Sequence, residues 1–311
     1  WRDDMKYKEM LYSKNGLSTM ALAKLFLGLK EGEKIPTVTE LNDKIDLARG
    51  TIQNSIKMLQ SQGAIRLESR GHLGTFLKHK DMRILLEFAG ITSIVGVMPL
   101  PYSKRYEGFA TGIIVAMENQ YGMPVSMAYM RGAQNRISML LSDRYDFAII
   151  SKFAALEMQK KKMDIQIVKS FGEYSYLSHH ITVFHDASKK AIEDGMRVGI
   201  DKDSIDQSQL TMRICEGKKV TFVPLAYNQI LEKTLNGEVD AAIWNEDEVT
   251  DKLVSINYQP VQLNDTADTE AVLVVDSNKK EMAMLLNDMI DIKTVLSNQK
   301  LVLDGKITPS Y

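Results

Sequence analysis

One eleven-residue pattern occurs twice in this chain. Residues 141–151 read LSDRYDFAIIS and residues 235–245 read LNGEVDAAIWN, so leucine, aspartate, alanine and isoleucine recur at the same four places without a gap. Each copy has the composition of a helix end, a polar turn and a buried strand that stops at a polar residue. The repeat predicts two similar α/β lobes. The alternative is a coincidence between two ordinary helix–strand junctions.

The segments around this repeat alternate between short apolar runs and amphipathic helical patterns. The predicted strands are 94–98, 125–129, 147–151, 181–184, 198–200, 220–223 and 241–244. The predicted helices are 106–120, 133–141, 206–216 and 227–235. Such alternation predicts parallel sheets covered by helices on both faces. Ligands of such sheets bind beyond the carboxyl ends of the strands, so a cleft between the lobes is expected to hold a ligand site.

The first eighty residues follow a different pattern, in which three helical segments precede a hairpin. The helical segments are predicted at 18–29, 37–46 and 48–62. In the second, Thr37 can cap the helix, and Glu40 three residues later completes a capping box. In the third, an apolar stripe lies opposite polar side chains that include no carboxylate. Alternating runs at 64–68 and 74–78 predict a β-hairpin. This order is typical of a winged helix-turn-helix, whose third helix enters the major groove of DNA.

Charge is divided unevenly between these two parts of the chain. The whole chain has 39 basic and 40 acidic side chains, but residues 1–80 hold 14 against 9, and residues 81–311 hold 25 against 31. Between residues 47 and 80, six basic side chains face only Glu68. A compact basic segment on a nearly neutral protein favours a polyanionic partner for that segment. The alternative is an ordinary solvated face.

Four motifs in the N-terminal segment have a recognisable joint spacing: GEKIP at 32–36, ARGTI at 48–52, LQSQGAI at 59–65 and GHLGTF at 71–76. Over residues 17–79 the chain resembles the GntR group of bacterial transcription regulators. The resemblance implies that Arg49, Thr51, Gly71 and Gly74 contact DNA. This chain departs from the group at Ala48 and Thr39, where serine and a base-reading arginine are usual, so phosphate binding is implied more strongly than base reading.

Charge, placement and resemblance together define one set of predicted DNA-binding residues. They are Thr37, Thr39, Arg49, Thr51, Gln53, Asn54, Lys57, Arg70, Gly71, His72 and Gly74. We expect Lys57 and Arg70 to bind phosphates, and Gln53 and Asn54 to contact bases. Each position can instead be an ordinary solvated one.

The C-terminal part also has recognisable motifs: MPLPY at 98–102, YEG at 106–108, MRGA at 130–133, DAAIWN at 240–245, TEAV at 269–272 and PSY at 309–311. They resemble the YhfZ family, a group proposed to regulate transcription. The lobe plan resembles the type 2 periplasmic-binding-protein fold. We therefore predict an α/β multidomain protein, with a winged helix-turn-helix at 1–80, a linker at 81–93 and a two-lobed, periplasmic-binding-protein-like domain at 94–311.

Strand ends in the two-lobed domain supply the predicted effector-binding residues. They are Tyr102, Ser103, Tyr106, Arg131, Gly132, Ser151, Asn245 and Glu270. Arg131 follows a strand and precedes a helix start, where an anion is favoured, so we expect it to pair with the acid group of an anionic or zwitterionic ligand. The alternative is a structural arginine that bridges the lobes. Glu270 is either a cleft acid or a hydrogen-bond partner across the lobes.

The sequence contains no P-loop, nucleophile elbow or dinucleotide-binding glycines, so we predict no enzyme and no cofactor. Strand alternation separates His180 from His179 and His185, and no carboxylate or cysteine stands at ligand spacing, so we predict no metal site. The lone Cys215 excludes an internal disulfide and favours a reducing, cytoplasmic location. We expect neither a signal peptide nor a membrane span, because no stretch reaches about 18 uncharged apolar residues.

These observations predict an effector-responsive transcription regulator. Its partners would be a double-stranded DNA operator and a small-molecule effector. A homodimer is expected, because winged helices usually bind two half-sites related by a two-fold axis. The alternative is a small-molecule enzyme or a solute-binding protein on the same two-lobed fold, with a vestigial winged helix.

Overall fold

The computed structural model describes residues 12–252, 256–261 and 266–311, with the backbone alone for residues 119–121. The chain divides into two units. The first contains the residues up to Ile94 together with Met117–Val125 and Lys279–Met289. The second contains Val95–Ala116, Ser126–Asn278 and Ile290–Tyr311.

Helices and strands follow one another along the described chain in a regular order. The helices are α1 (Lys14–Gly28), α2 (Val38–Ile45), α3 (Arg49–Ser61), α4 (Met82–Phe88), α5 (Lys104–Tyr121), α6 (Ala133–Leu141), α7 (Lys152–Lys160), α8 (Ile205–Ile214), α9 (Ile230–Leu235), α10 (Glu246–Lys252), α11 (Lys280–Met289) and α12 (Ile292–Leu303). The strands are β1 (Ile65–Ser69), β2 (Thr75–Lys80), β3 (Ile94–Met98), β4 (Val125–Tyr129), β5 (Phe147–Ser151), β6 (Ile165–Ser170), β7 (His180–Phe184), β8 (Arg197–Ile200), β9 (Thr221–Pro224), β10 (Ala241–Asn245), β11 (Asn257–Pro260) and β12 (Ala271–Asp276).

The three N-terminal helices and the hairpin confirm the predicted winged helix-turn-helix. The Thr37 hydroxyl accepts a hydrogen bond from the Glu40 N–H, and the Glu40 carboxylate accepts one from the Thr37 N–H, which completes the capping box of α2. Helix α1 begins four residues earlier than predicted because Ser13 caps it. The apolar faces of the three helices meet in a core whose central side chains have no exposed surface: Leu22, Phe26, Leu41, Ile52 and Leu59.

The wing is an antiparallel pair of strands, β1 and β2, joined by a 3-10 turn at Gly71–Leu73. Gly71 and Gly74 have φ values of +58° and +101°, which side chains with a Cβ rarely adopt, so the turn depends on glycine at both places. The segment before α2 lies along β2, since the Ile35 N–H donates to the Thr75 carbonyl at 2.9 Å. The start of α2 is therefore held directly against the wing.

The second unit is built on two five-stranded sheets. The strand order is β4-β3-β5-β12-β6 in the first lobe and β11-β7-β10-β8-β9 in the second. Both sheets are mixed, which corrects the expectation of parallel sheets. Strands β12 and β7 run antiparallel to their neighbours β5 and β10. The physical reason is that β7 and β12 follow the segments that cross between lobes, so they enter their sheets where β5 and β10 end.

The internal repeat corresponds to the same structural unit in each lobe. In the first copy, the Asp146 N–H donates to the Val95 carbonyl and the Asp146 carboxylate accepts from the Val95 N–H, both at 2.8 Å. In the second copy, Asp240 makes the same two bonds with Arg197, at 2.8 and 2.7 Å. The repeated aspartate thus ties the start of one strand to its parallel neighbour. The prediction of two similar lobes is confirmed.

Candidate functional site

The outer face of α3 carries polar side chains assigned to DNA from the sequence. Ile52, Ser55 and Leu59 are buried. The exposed positions include two cations and three amides: Arg49, Gln53, Asn54, Lys57 and Gln60. No carboxylate occurs between Arg49 and Ser61, so nothing on the helix itself repels a phosphate.

A groove lies between α3, the start of α2 and the wing. It brings together five of the predicted DNA-binding residues, which are Thr37, Gln53, Lys57, His72 and Gly74. Lys34 and Gln60 also line the groove and were not predicted. The other predicted residues do not line it; they are Thr39, Arg49, Thr51, Asn54, Arg70 and Gly71. The groove therefore has donors on both of its walls.

Arg70 on the wing is held in place by two neighbours. Its Nη2 donates to the Glu68 carboxylate at 3.2 Å, and its guanidinium lies 4.5 Å from the centre of the Phe76 ring. The Arg70 hydrogen bond lowers the pKa of Glu68. Lys78 Nζ lies 4.0 Å from the same carboxylate. Glu68 therefore offsets part of the positive charge of the wing, while Arg70 stays on its surface.

Lys80 belongs to the basic segment of the sequence but not to this surface. Its side chain is 9% exposed, its Nζ donates to the Leu27 carbonyl at 2.7 Å, and Asp288 lies 3.8 Å away. Burial lowers the pKa of Lys80. The cation stabilises the junction of α1, β2 and α11, so the sequence count overstated the charge available to DNA by one.

A cleft lies between the two lobes of the second unit. Four of the predicted effector residues line it, namely Tyr102, Tyr106, Arg131 and Gly132. The other four do not line it and have other surroundings. Ser103 and Asn245 are buried. The Ser151 hydroxyl donates to the Asp206 carboxylate at 2.6 Å, and the Glu270 carboxylate accepts from Lys152 Nζ at 2.8 Å.

Arg131 connects the two lobes. Its Nη2 donates to the Asp203 carboxylate at 2.6 Å, with the two side chains 33% and 52% exposed. The neighbouring Gly132 has φ +79°, and a Cβ there would lie 2.7 Å from the Asp203 carbonyl oxygen. A second ion pair, between Arg105 and Asp247, also joins the lobes at 3.0 Å and is more deeply buried. The lobes are therefore in contact at both of these ion pairs.

Sequence reasoning missed several polar residues that line the cleft. Among them are Arg136, Tyr176, His180, Asp206 and Tyr227. The signal for Arg136 was its position on the buried face of α6, where Ala133, Ile137 and Leu140 are apolar. Asp206 likewise lies on the buried face of α8. A charged residue on the buried face of a helix is unusual enough to mark a site.

Several titratable groups of the cleft are deeply buried. His180 Nδ1 lies 2.6 Å from the Asp268 carboxylate, with the side chains 5% and 3% exposed. Asp206 accepts from the Ser151 hydroxyl, and burial raises the pKa of Asp206 despite that bond. Burial also raises the pKa of the Tyr106 and Tyr176 hydroxyls. The inner end of the cleft is therefore a poorly solvated place for charge.

The three histidines considered as metal ligands have separate partners. His179 faces Glu246, His180 faces Asp268, and His185 Nδ1 lies 3.1 Å from the Thr234 carbonyl. Within residues 12–252, 256–261 and 266–311, no three His, Cys, Asp or Glu side chains are grouped so as to hold a metal ion. In the same ranges, no helix has the length and apolar content needed to cross a membrane.

Comparisons with known proteins match both units. The family model of the YhfZ C-terminal domain matches residues 81–311, and a helix-turn-helix model matches residues 30–77. The uncharacterized protein YhfZ of Escherichia coli (strain K12) is 33% identical over 302 residues, which are 96% of this chain and 98% of that protein.

Solved structures are also similar to the chain, among them the following two. The crystal structure of YhfZ from Shigella flexneri is 32% identical, with a TM-score of 0.60, and the match covers 74% of this chain and 97% of that one. The periplasmic aliphatic sulphonate binding protein SsuA of Escherichia coli is 15% identical, with a TM-score of 0.51, over 68% of this chain and 74% of that one. At that identity the second likeness shows the two-lobed fold alone.

Proposed function

The chain belongs to the YhfZ family, and on that premise we propose that it is a transcription regulator that binds operator DNA and responds to a small molecule. The observation that carries the proposal is the exposed, carboxylate-free face of α3 beside the wing groove. A helix inserted in the major groove needs hydrogen-bond donors for bases and phosphates on its outer face. Gln53 and Lys57 supply both kinds of donor to the groove.

The finer parts of the proposal concern the winged helix and its assembly. We assign the winged helix to the GntR-like kind, as residues 1–80, followed by a linker at 81–93 and a sensor domain at 94–311. A homodimer would place two α3 helices on two half-sites. Binding to DNA implies a cytoplasmic location.

The two-lobed domain is proposed to sense the small molecule without catalysing a reaction. Ligand between the lobes would favour one arrangement of them, and the DNA affinity would change only if that arrangement also differs in its affinity for DNA. The interlobe pair of Arg131 and Asp203 would form or break with this motion.

The DNA-binding part is tested by selecting the bound sequences from a random double-stranded DNA pool with the full chain. We expect an enriched motif with two inverted half-sites. The selection is repeated with Gln53→Ala and Lys57→Ala. Gln53→Ala should relax the preference at a single position in each half-site, and Lys57→Ala should weaken binding to all sequences alike. Recovery of a pool no different from the input would contradict the proposal.

A further inference from the structure

Arg136 is a buried cation without an ionic partner in the described structure. Arg136 is 3% exposed and lines the cleft. Nη1 donates to the Met130 carbonyl at 2.7 Å and Nη2 to the Tyr176 hydroxyl at 3.2 Å, while Nε has no acceptor. None of the described carboxylates forms an ion pair with it within 4.0 Å. Asp206 interacts with Arg136 only at longer range, so no contacting carboxylate neutralises this buried charge. A buried charge that is not paired in this way is costly, so the arrangement is suited to an anion that enters the cleft.

The backbone beside Arg136 adds to the positive potential at this end of the cleft. Helix α6 starts at Ala133, its N-cap Gly132 has no side chain to satisfy the first N–H groups, and both residues line the cleft. The first N–H groups of a helix and its dipole favour an anion. A planar guanidinium and free backbone donors together match a carboxylate or another oxyacid.

Asp206 supplies a negative pole in the same cleft. It is 7% exposed and lies on the buried face of α8, in the first turn of that helix, in the second lobe. One carboxylate oxygen, Oδ1, accepts from Ser151, and Oδ2 has no hydrogen-bond partner among the described residues. Neighbouring Asp201 already accepts two backbone N–H groups, from Asp203 and Tyr227. Asp206 is therefore the acid in the cleft whose Oδ2 is available to accept a hydrogen bond from a ligand cation.

We propose that the cleft binds a small zwitterion of the amino-acid class, with its acid group on Arg136 and the start of α6 and its ammonium group on Asp206. The inference rests on the proposed sensing function and assigns its ligand class. Arg131 then acts as a latch between the lobes, because Asp203 already occupies its guanidinium. The cavity measures about 60 Å³, far below the roughly 300–1,000 Å³ of pockets for drug-sized molecules, so the ligand is small and enters when the lobes open.

The ligand class is tested by thermal shift and calorimetry of the full chain with the twenty common L-amino acids. For each amino acid that stabilises the protein, we also measure the analogue that lacks the amine and the analogue that lacks the acid group. For alanine these analogues are propanoate and ethylamine. We expect at least one amino acid to raise Tm saturably. Each single-charge counterpart should bind about tenfold or more weakly, since a charged hydrogen bond is lost. Absence of any saturable shift across the twenty overturns the proposal.

Variants separate binding from structure. Arg136→Met and Asp206→Asn should each lose about tenfold or more in affinity for the amino acid that binds, while the ligand-free proteins keep a cooperative transition. The matched controls are the exposed positions Arg213→Gln and Asp164→Asn, which should bind as the wild type does. Wild-type affinity in Arg136→Met, or equal binding of an amino acid and its deaminated acid, overturns the assignment. Asp206→Asn decides the question if Arg136→Met fails to fold.

Failure of the ligand class and failure of the regulator proposal give different results. Native mass spectrometry of the protein from its producing cell detects any retained ligand, and DNA affinity is measured with and without it. A retained ligand that lacks either charge but changes DNA affinity overturns the zwitterion and leaves the regulator standing. Saturable amino-acid binding without any change in DNA affinity supports the zwitterion and contradicts effector-responsive regulation.

Discussion

At the residue scale, Gly132 combines a backbone conformation that favours glycine with a close contact to the other lobe. Its φ of +79° disfavours any residue with a Cβ, and a Cβ would meet the Asp203 carbonyl oxygen of the other lobe at 2.7 Å. Gly217 has a similar φ of +75°, but no atom lies within 4 Å of a Cβ there. The two glycines therefore separate the cost of the backbone from the cost of the contact.

We expect Gly132→Ala to lower the free energy of unfolding by more than Gly217→Ala does. The backbone term, about 1–3 kcal/mol, is common to both, and the clash with Asp203 is added only at Gly132. Urea unfolding of the two variants and the wild type measures the difference. Equal losses in the free energy of unfolding would mean that the contact between Gly132 and Asp203 can open without an energetic cost.

Asp206 predicts a pH dependence of stability. Burial raises the pKa of Asp206 above its ordinary 3.8, so the folded state binds more protons than the unfolded state between these two pKa values. The contribution of this group therefore makes stability fall as pH rises from 3.8 through the folded pKa. We expect Asp206→Asn, without ligand, to gain stability relative to the wild type across that window and then to keep a constant advantage.

The comparison is made by urea unfolding at several pH values from about 4 to 8. The groups that face Asp206 are Ser151, His180, Asp268 and Arg136, and they are present in both proteins, so the difference between the two curves isolates the carboxyl group. A pH-independent difference would show that Asp206 titrates alike in the folded and unfolded chain. Stability gained while ligand affinity is lost is the expected signature of a binding-site acid.

At the scale of elements, two glycines let α5 approach α12 closely. A Cβ at Gly112 would lie 2.4 Å from the Val295 carbonyl oxygen, and one at Gly108 would lie 2.9 Å from the Gln299 carbonyl oxygen. The two residues are four positions apart, so they lie on one face of α5. The backbones meet where side chains would otherwise hold them apart.

We expect Gly112→Ala to destabilise the protein by about 2 kcal/mol. Alanine favours a helix by up to about 1 kcal/mol, but overpacking against the backbone of α12 costs about 1–3 kcal/mol and more where the backbone cannot move. Gly50→Ala in α3 is the matched control, because nothing lies within 4 Å of a Cβ there. Thermal unfolding should show a loss for Gly112→Ala and no loss for Gly50→Ala. A stabilised Gly112→Ala would contradict the close packing of α5 and α12.

At the scale of the whole molecule, the charge balance of −1 is the sum of a basic first part and an acidic remainder. DNA affinity should therefore fall steeply with salt, because each phosphate contact releases counterions. Lys57→Ala should reduce the slope of log K against log salt concentration by about 1. Lys160→Ala, an exposed cation in the second unit, should leave the slope unchanged. Fluorescence anisotropy with one labelled duplex measures all three proteins, and equal slopes for all three would remove Lys57 from the phosphate contacts.

Local patterns were sufficient to predict most elements of both units. The capping box at Thr37, the stripe of Ile52 and Leu59, and the strand at 147–151 each depend on residues close together in the chain. Strand direction was predicted less well, because β7 and β12 pair with strands far away in sequence. Their direction depends on which way the chain enters the sheet, and no local pattern encodes that entry.

The sequence by itself determined the winged helix, the two lobes and the division of charge, because hydrophobic periodicity and charge are properties of neighbouring residues. Only the tertiary structure decided which polar groups meet in the cleft. Arg131, predicted from its strand end, has Asp203 as its partner, whereas Arg136, five residues later, is buried in the cleft with an unused donor. The environment of a charge depends on the opposite lobe, whose approach the local sequence does not specify.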